Sequence, residues 1–218
     1  MSRKQFVEFY TELYPGVKNE MMMRANAEEL NCRFMFDDQV VDGAMHSIAW
    51  VIFSKEEPML QFPETYGRQV KVVLYDVWNN VRAVYTKPGE YHLEIPGCAA
   101  GIVLATVESK EPGVDIQDYL MALDVIQNLV INDIGVGAND YEDFQTLVPA
   151  ASTLNVDDPK DVSGKEFFAI ANAVWEFNPF PGSARTNKAR ESMLIKTKRM
   201  TPSELDEIKK EALSKMNV

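Results

Sequence analysis

The chain has 218 residues, of which 46% are hydrophobic and 25% charged, and its formal net charge is −11. This composition is typical of one globular domain, or of one domain with appendages. The negative charge argues against a general nucleic-acid coat and against binding to an anionic membrane surface. With two cysteines, no signal-peptide pattern and no long apolar run, the sequence predicts a cytoplasmic protein with reduced thiols and no contact with a membrane.

The first thirty residues indicate helices. Residues 3–13 repeat apolar side chains at spacings of three and four, which is one stripe of a helix. Pro15 and Gly16 predict a break. A second helix is expected over residues 17–30, which are mostly good helix formers.

Three consecutive methionines in this second helix suggest a partner contact: Met21, Met22 and Met23. Three adjacent helical positions span about 200°, so these side chains cannot all face one core. Methionine packs adaptably at protein surfaces. We therefore expect at least one of the three to be exposed or to meet a partner.

Residues 44–56 are ambiguous between helix and strand. Residues 48–53 are also good strand sequence, and a short apolar run cannot be resolved by periodicity. The helix is favoured because Ala44, Ile48 and Val51 fit one face, with Asp42 and Gly43 as its cap.

The middle of the chain predicts a β-meander. Four strand-like runs follow one another at residues 68–78, 81–86, 91–95 and 102–107. Asn79 and Asn80 predict a two-residue hairpin turn, and residues 87–90 predict a second turn. Short connections of this kind imply antiparallel pairing, so we expect a four-stranded, mainly antiparallel sheet.

The step at residues 96–101 is the only part of the sheet region that suggests catalytic chemistry. Cys98 lies there between small residues, with His92 just upstream and His46 able to approach through the fold. A nucleophilic cysteine needs a nearby base or cation to lower its pKa. The alternative is a buried thiol in a tight bend that leads into the next strand.

A long helix and an irregular arm follow the sheet. Asp115 is expected to cap a helix over residues 116–132, which should pack on one face of the sheet. Residues 134–161 predict an irregular arm, either functional or laid across a neighbouring subunit. Its acidic residues match no calcium-loop pattern, and the scattered histidines and cysteines match no zinc spacing, so no metal site is predicted.

Two capping boxes predict the C-terminal helices. Ser163 and Glu166 start a helix at about residues 164–177, and Thr201, Pro202 and Glu204 start the terminal helix. The terminal helix carries only a thin apolar stripe among many charges, which is typical of a helix that packs against a partner or a small core.

A basic segment connects these two helices. Residues 185–199 have a net charge of +5, so the rest of the chain has −16. The segment is either a solvated helix face or linker, or a contact for an acidic partner such as another copy of the chain. Binding to nucleic acid is a weaker alternative, because no aromatic residues are interleaved. The basic residues are Arg185, Lys188, Arg190, Lys196, Lys198 and Arg199.

The sequence therefore predicts an α+β fold with a core domain at residues 1–133 and an extended C-terminal region at residues 134–218. No dinucleotide, phosphate-loop or hydrolase motif is present, and no cofactor is predicted. The favoured function is a non-catalytic, oligomeric assembly protein, for example a virion component. The alternatives are a hydrolase or transferase that uses Cys98, and a nucleic-acid-associated factor that uses residues 185–199.

Overall fold

The fold was analysed in a computed structural model, which describes residues 2–25, 34–53, 58–132 and 158–216. The chain forms two compact units. The helical unit comprises Met1–Ala25, Val77–Asn79 and Glu142–Val218, and the sheet unit comprises Asn26–Asp76 and Asn80–Tyr141. The predicted boundary between residues 133 and 134 lies outside the described residues.

Eight strands and five helices occur in the described parts of the chain. The strands are β1 (Met35–Val41), β2 (Ala44–Ile52), β3 (Met59–Phe62), β4 (Val70–Asp76), β5 (Val81–Tyr85), β6 (Gly89–His92), β7 (Ala100–Glu108) and β8 (Val130–Asn132). The helices are α1 (Arg3–Ala25), α2 (Ile116–Gln127), α3 (Gly164–Phe177), α4 (Ala184–Thr197) and α5 (Pro202–Met216).

The predicted α+β class and antiparallel pairing are confirmed, with a different strand order. A five-stranded sheet has the order β1-β2-β7-β4-β5, and a three-stranded sheet has the order β6-β3-β8. Of the predicted meander, only the β4–β5 hairpin is observed. Strand β7 pairs with β2 and β4, and β6 pairs with β3 in the other sheet. The turn at residues 87–90 therefore carries the chain from one sheet to the other.

The predicted helix over residues 44–56 is wrong, because residues 44–52 form β2. Asp42 and Gly43 have φ angles of 52° and 78°, and Val41 pairs with Ala44. Two central residues with positive φ make a type I′ turn, the preferred two-residue hairpin connection. The dipeptide that was expected to cap a helix instead closes the β1–β2 hairpin.

The predicted break at Pro15 is also wrong, since α1 continues through it as a single helix of 23 residues. An interior proline removes one backbone hydrogen bond and costs about 3 kcal/mol. Burial on both sides of Pro15 offsets that cost, because Leu13, Tyr14 and Val17 are all buried.

The core of the sheet unit lies between its two sheets and α2. Alternate residues of β2, β4 and β7 face this core, which is the period of a half-buried strand. Helix α2 contributes Ala122, Val125 and Ile126. It is shorter than the predicted helix of residues 116–132, because the chain turns at Asn128 and enters β8.

The capping predictions are confirmed. Asp115 accepts a hydrogen bond from the Asp118 N–H, and Ser163 and Glu166 cap each other's backbone reciprocally. The Thr201 hydroxyl likewise accepts from the Glu204 N–H. Where a basic connection was expected, the chain forms α4, whose N-cap is Ser183.

In the helical unit, α1 packs against α3 and α5. Tyr10 of α1 stacks on Phe167 of α3 with 3.8 Å between the ring centroids, and Leu205 and Ile208 supply the buried face of α5. Within the described ranges, no helix is long and apolar enough to cross a membrane.

Candidate functional site

Cys98 lies in a tight turn at the edge of the sheet-unit core. The Cys98 N–H donates to the Ile95 carbonyl at 2.9 Å, and Gly97 has a φ of +77°. Together with Pro96 this is a type II turn, so the predicted bend is confirmed. The thiol is half-buried, and this burial raises the pKa of Cys98 above its ordinary value. The nearby Arg82 lowers the pKa less than burial raises it.

The structure places Cys98 and the two histidines on different segments, and a catalytic role for them stays a prediction. His92 is exposed on β6 of the three-stranded sheet, whereas Cys98 precedes β7 of the five-stranded sheet. His46 lies on β2, where its Nδ1 is 3.4 Å from the Thr106 hydroxyl. Among the described residues, no group of three or more acidic, histidine or cysteine side chains is arranged to hold a metal ion.

The methionine triplet is mostly internal. Met21 and Met23 are buried in the helical unit, and Met22 is half-buried. Of the three predicted contact residues, Met22 alone retains a surface that a partner could reach. Its role in partner binding stays a prediction.

The predicted basic segment forms an exposed helix face. At 100° per residue, Arg185, Lys188, Lys196 and Arg199 lie on one side of α4 and its C-terminal extension. These side chains and Lys198 are exposed, and none of them makes an ion pair with a residue in the described ranges. We call this surface, together with the exposed Ile195 next to Lys196, the basic face.

Arg190 differs from the other five basic residues because it stabilises the helical unit. Its Nε donates to Glu12 at 3.1 Å, and its guanidinium lies over the Phe180 ring at 4.1 Å from the centroid. The side chain is only 16% exposed. Arg190 therefore serves as an internal contact between α1 and α4 and is unavailable to a partner.

A cleft of about 640 Å³ lies beside the C-terminal end of the basic face, between α3 and α5. Phe168 and Leu205 form a buried apolar floor, and Lys165 and Lys198 stand at the rim. The sequence analysis identified Lys198 but missed Lys165, because only the tertiary packing of α3 beside the end of α4 brings the two lysines to one cleft. Glu176 also lines the cleft, so its lining carries charges of both signs.

The sequence analysis also missed an apolar surface on α2. Ile116, Leu120 and Met121 are 51%, 47% and 43% exposed, and Val114 just before the helix is 76% exposed. Single exposed apolar side chains are common on monomeric proteins, but neighbouring ones that form a contiguous patch are a candidate interaction site. We call this surface the α2 patch.

An acidic hollow of about 480 Å³ borders the α2 patch. Its lining includes Glu64, Glu90 and Asp124, and Tyr66 stands in its wall with 65% of its surface exposed. Asp124 is itself a residue of α2, one turn after Leu120. Three carboxylates and an aromatic ring make this hollow suited to a lysine or arginine side chain.

Comparison with known proteins supports the fold alone. No protein family model matches the chain. No curated protein matches its sequence either. Among solved structures, the chain is similar to the crystal structure of the VPA0106 protein from Vibrio parahaemolyticus, with a TM-score of 0.55 and 13% sequence identity. The similarity covers 98% of this chain and 58% of that chain, so this chain spans little more than half the length of its structural neighbour.

Proposed function

We propose that this chain is a non-catalytic assembly protein that self-associates through the basic face of α4. The observation that carries the proposal is the row of exposed cationic side chains on one helix, in a chain that is otherwise strongly acidic. An acidic surface of another copy is the partner that this charge distribution favours. The proposal places the protein in the cytoplasm as a subunit of a larger particle, such as a virion.

The charge distribution supports a polar, head-to-tail contact. Residues 184–199 carry six basic residues and one acidic residue, whereas the whole chain has 33 acidic and 22 basic residues. Two copies therefore repel each other in most orientations. They attract when the basic face of one copy meets an acidic region of the other.

The alternative functions have less support. A reactive cysteine needs a lowered pKa, but burial raises the pKa of Cys98. Non-specific binding of single strands uses aromatic side chains between the cations, and residues 184–199 contain no aromatic residue. Binding of nucleic acid through the basic face is therefore the less favoured alternative, and oligonucleotide binding by the basic-face variant tests it.

The test is light scattering coupled to a sizing column, at low ionic strength and high protein concentration. A basic-face variant carries Arg185→Gln, Lys188→Gln and Lys196→Gln. A matched control carries Lys4→Gln, Lys71→Gln and Lys87→Gln, which are also exposed and change the net charge equally. We expect the wild type and the control to exceed the monomer mass of 24.7 kDa, and the basic-face variant to remain at it.

Two results would contradict the proposal. One is a wild-type protein that stays monomeric at every concentration. The other is a basic-face variant that assembles as well as the control. Tight binding of a single-stranded oligonucleotide that is lost in the basic-face variant alone would instead favour the nucleic-acid function, with a steep salt dependence.

A further inference from the structure

We propose that the α2 patch, together with the acidic hollow, is the surface on which the basic face of a second copy docks. This inference rests on the proposed function and adds the second half of the contact.

The α2 patch is apolar at its centre and acidic around it. Residues 108–127 contain five carboxylates and one lysine, and α2 itself contains no basic residue. Asp115 and Asp118 have pKa values below the ordinary range, because each accepts hydrogen bonds from a backbone N–H and a basic side chain. Both groups stay ionised at neutral pH but are paired with Lys110 and Arg68, so the negative field beside the patch comes from Glu111, Asp124 and the other carboxylates of the acidic hollow.

This charge argues against packing of one α2 patch on another. A two-fold contact brings the same surface of each copy together, so every carboxylate near the axis would meet a carboxylate. Like charges placed opposite each other across an interface are unfavourable. The favoured partner of the patch is a surface that is apolar at its centre and basic around it.

The basic face of α4 has this composition. Ile195 is 48% exposed, and the small side chains of Ser192 and Ala189, about one and two turns earlier, leave room for another helix to approach. Arg185 and Lys196 lie on either side along the helix axis. When Ile195 contacts the α2 patch, a neighbouring basic side chain has the length to enter the acidic hollow beside it.

The hollow suits such a side chain in two ways. Glu64 and Glu90 are exposed and can form charge-assisted hydrogen bonds with a guanidinium or an ammonium group. Tyr66, with its ring exposed, can stack on the same cation. The contact is heterologous, because the two surfaces differ, so it joins copies head to tail into a ring or a filament.

A complementation experiment tests this arrangement. The patch variant carries Ile116→Ser, Leu120→Ser and Met121→Ser, and the basic-face variant is the one defined above. Each variant alone lacks one half of the contact, and we expect its self-association to weaken by about tenfold or more. Mixed together, the two variants retain one complete contact, between the patch of the basic-face variant and the basic face of the patch variant. We expect a 1:1 complex that does not grow further.

The outcomes separate this inference from the proposed function. If the wild type assembles and the basic-face variant does not, but the mixture stays monomeric or the patch variant assembles normally, the basic face uses another acidic surface and the inference is wrong. If the basic-face variant assembles alone, the proposed function itself fails. Circular dichroism establishes that each variant is folded, and the single substitution Leu120→Gln replaces the patch variant if the triple one is not.

Discussion

Gly16 of α1 lies directly against the Trp78 indole, and a β-carbon on Gly16 would stand 2.2 Å from two ring atoms. Both residues belong to the helical unit, where Trp78 also donates from Nε1 to the Asn178 carbonyl at 2.8 Å. The glycine therefore marks a close approach between a helix backbone and an aromatic ring. It does not mark the end of a helix.

The substitution Gly16→Ala should destabilise the protein by about 1–3 kcal/mol, because overpacking of a filled core forces neighbouring groups out of place. The loss should exceed the gain in helix propensity of about 1 kcal/mol that alanine brings. Chemical denaturation followed by circular dichroism measures the free energy of unfolding. Gly113→Ala is the control, because nothing lies within 4 Å of the added methyl group. Equal stability of the two variants would disprove the role assigned to Gly16.

A second prediction concerns the buried carboxylate at the end of β4. Asp76 is fully buried, accepts from the Asn80 N–H at 2.9 Å and pairs with the Arg82 Nε at 2.9 Å. Arg82→Ala removes the Arg82 guanidinium from this buried carboxylate, so we expect a loss of about 2 kcal/mol. The exposed pair of Lys110 and Asp115 offers the control, since Lys110→Ala should cost clearly less than Arg82→Ala. Thermal melting compares the two, and similar melting temperatures would contradict the prediction.

The capping box of α3 should make stability depend on pH. Hydrogen bonds from the Ser163 side chain and then from its backbone lower the pKa of Glu166. A carboxyl whose folded pKa is lowered stabilises the fold above its ordinary pKa of about 4.3, and this contribution is lost as the pH falls through the lowered value. Ser163→Ala should cost about 1 kcal/mol at neutral pH and less in acid, where Glu166 is protonated. Denaturation curves measured from neutral pH down to pH values at which Glu166 is protonated test this prediction. A cost of Ser163→Ala that is independent of pH would count against it.

The thiol of Cys98 should react slowly with alkylating reagents. Burial raises its pKa, so the thiolate fraction at pH 7 is smaller than in an ordinary cysteine. We expect iodoacetamide to label Cys98 more slowly than it labels free glutathione, with a rate that rises with pH. Peptide mapping by mass spectrometry measures the labelling at Cys98. Faster labelling than glutathione would revive the hypothesis of a catalytic cysteine.

Local signals predicted the helix starts well. Ser163 and Thr201 each combine a capping hydroxyl with a glutamate three residues later, and both begin helices at the expected residue. These signals involve only neighbouring residues, so a single sequence is enough to interpret them.

Features that depend on long-range contacts were predicted less well than helix starts. Pro15 and Gly16 have the composition of a break, but the packing of Trp78 on Gly16 makes the glycine part of a continuous helix. Asp42 and Gly43 were assigned to a helix start, although Asp-Gly is also a strong local signal for the two-residue hairpin turn that joins β1 to β2. The position of β7 between β2 and β4 likewise depends on long-range pairing, which a local sequence pattern does not indicate.

Of the two candidate surfaces, the basic face was predicted from the sequence and the α2 patch was not. The basic residues are close together in the sequence, so their clustering could be predicted. The contact of Arg190 with Glu12 inside the helical unit could not be predicted. The α2 patch was hidden because Ile116 and Leu120 resemble the core residues of the same helix. The sequence did contain one indication of the patch. Helix α2 has more apolar positions than a single core-facing stripe needs, so some of them had to be exposed.

The most direct test of the account is the mass of the wild-type protein over a dilution series, measured by sedimentation equilibrium at low and high salt. An attraction between oppositely charged faces should weaken as salt shortens the screening length, which is about 10 Å at 0.1 M and about 3 Å at 1 M. We predict a mass above 24.7 kDa that rises with concentration at low salt and falls toward that value at high salt. A mass of 24.7 kDa at every concentration and both salt levels would contradict the account.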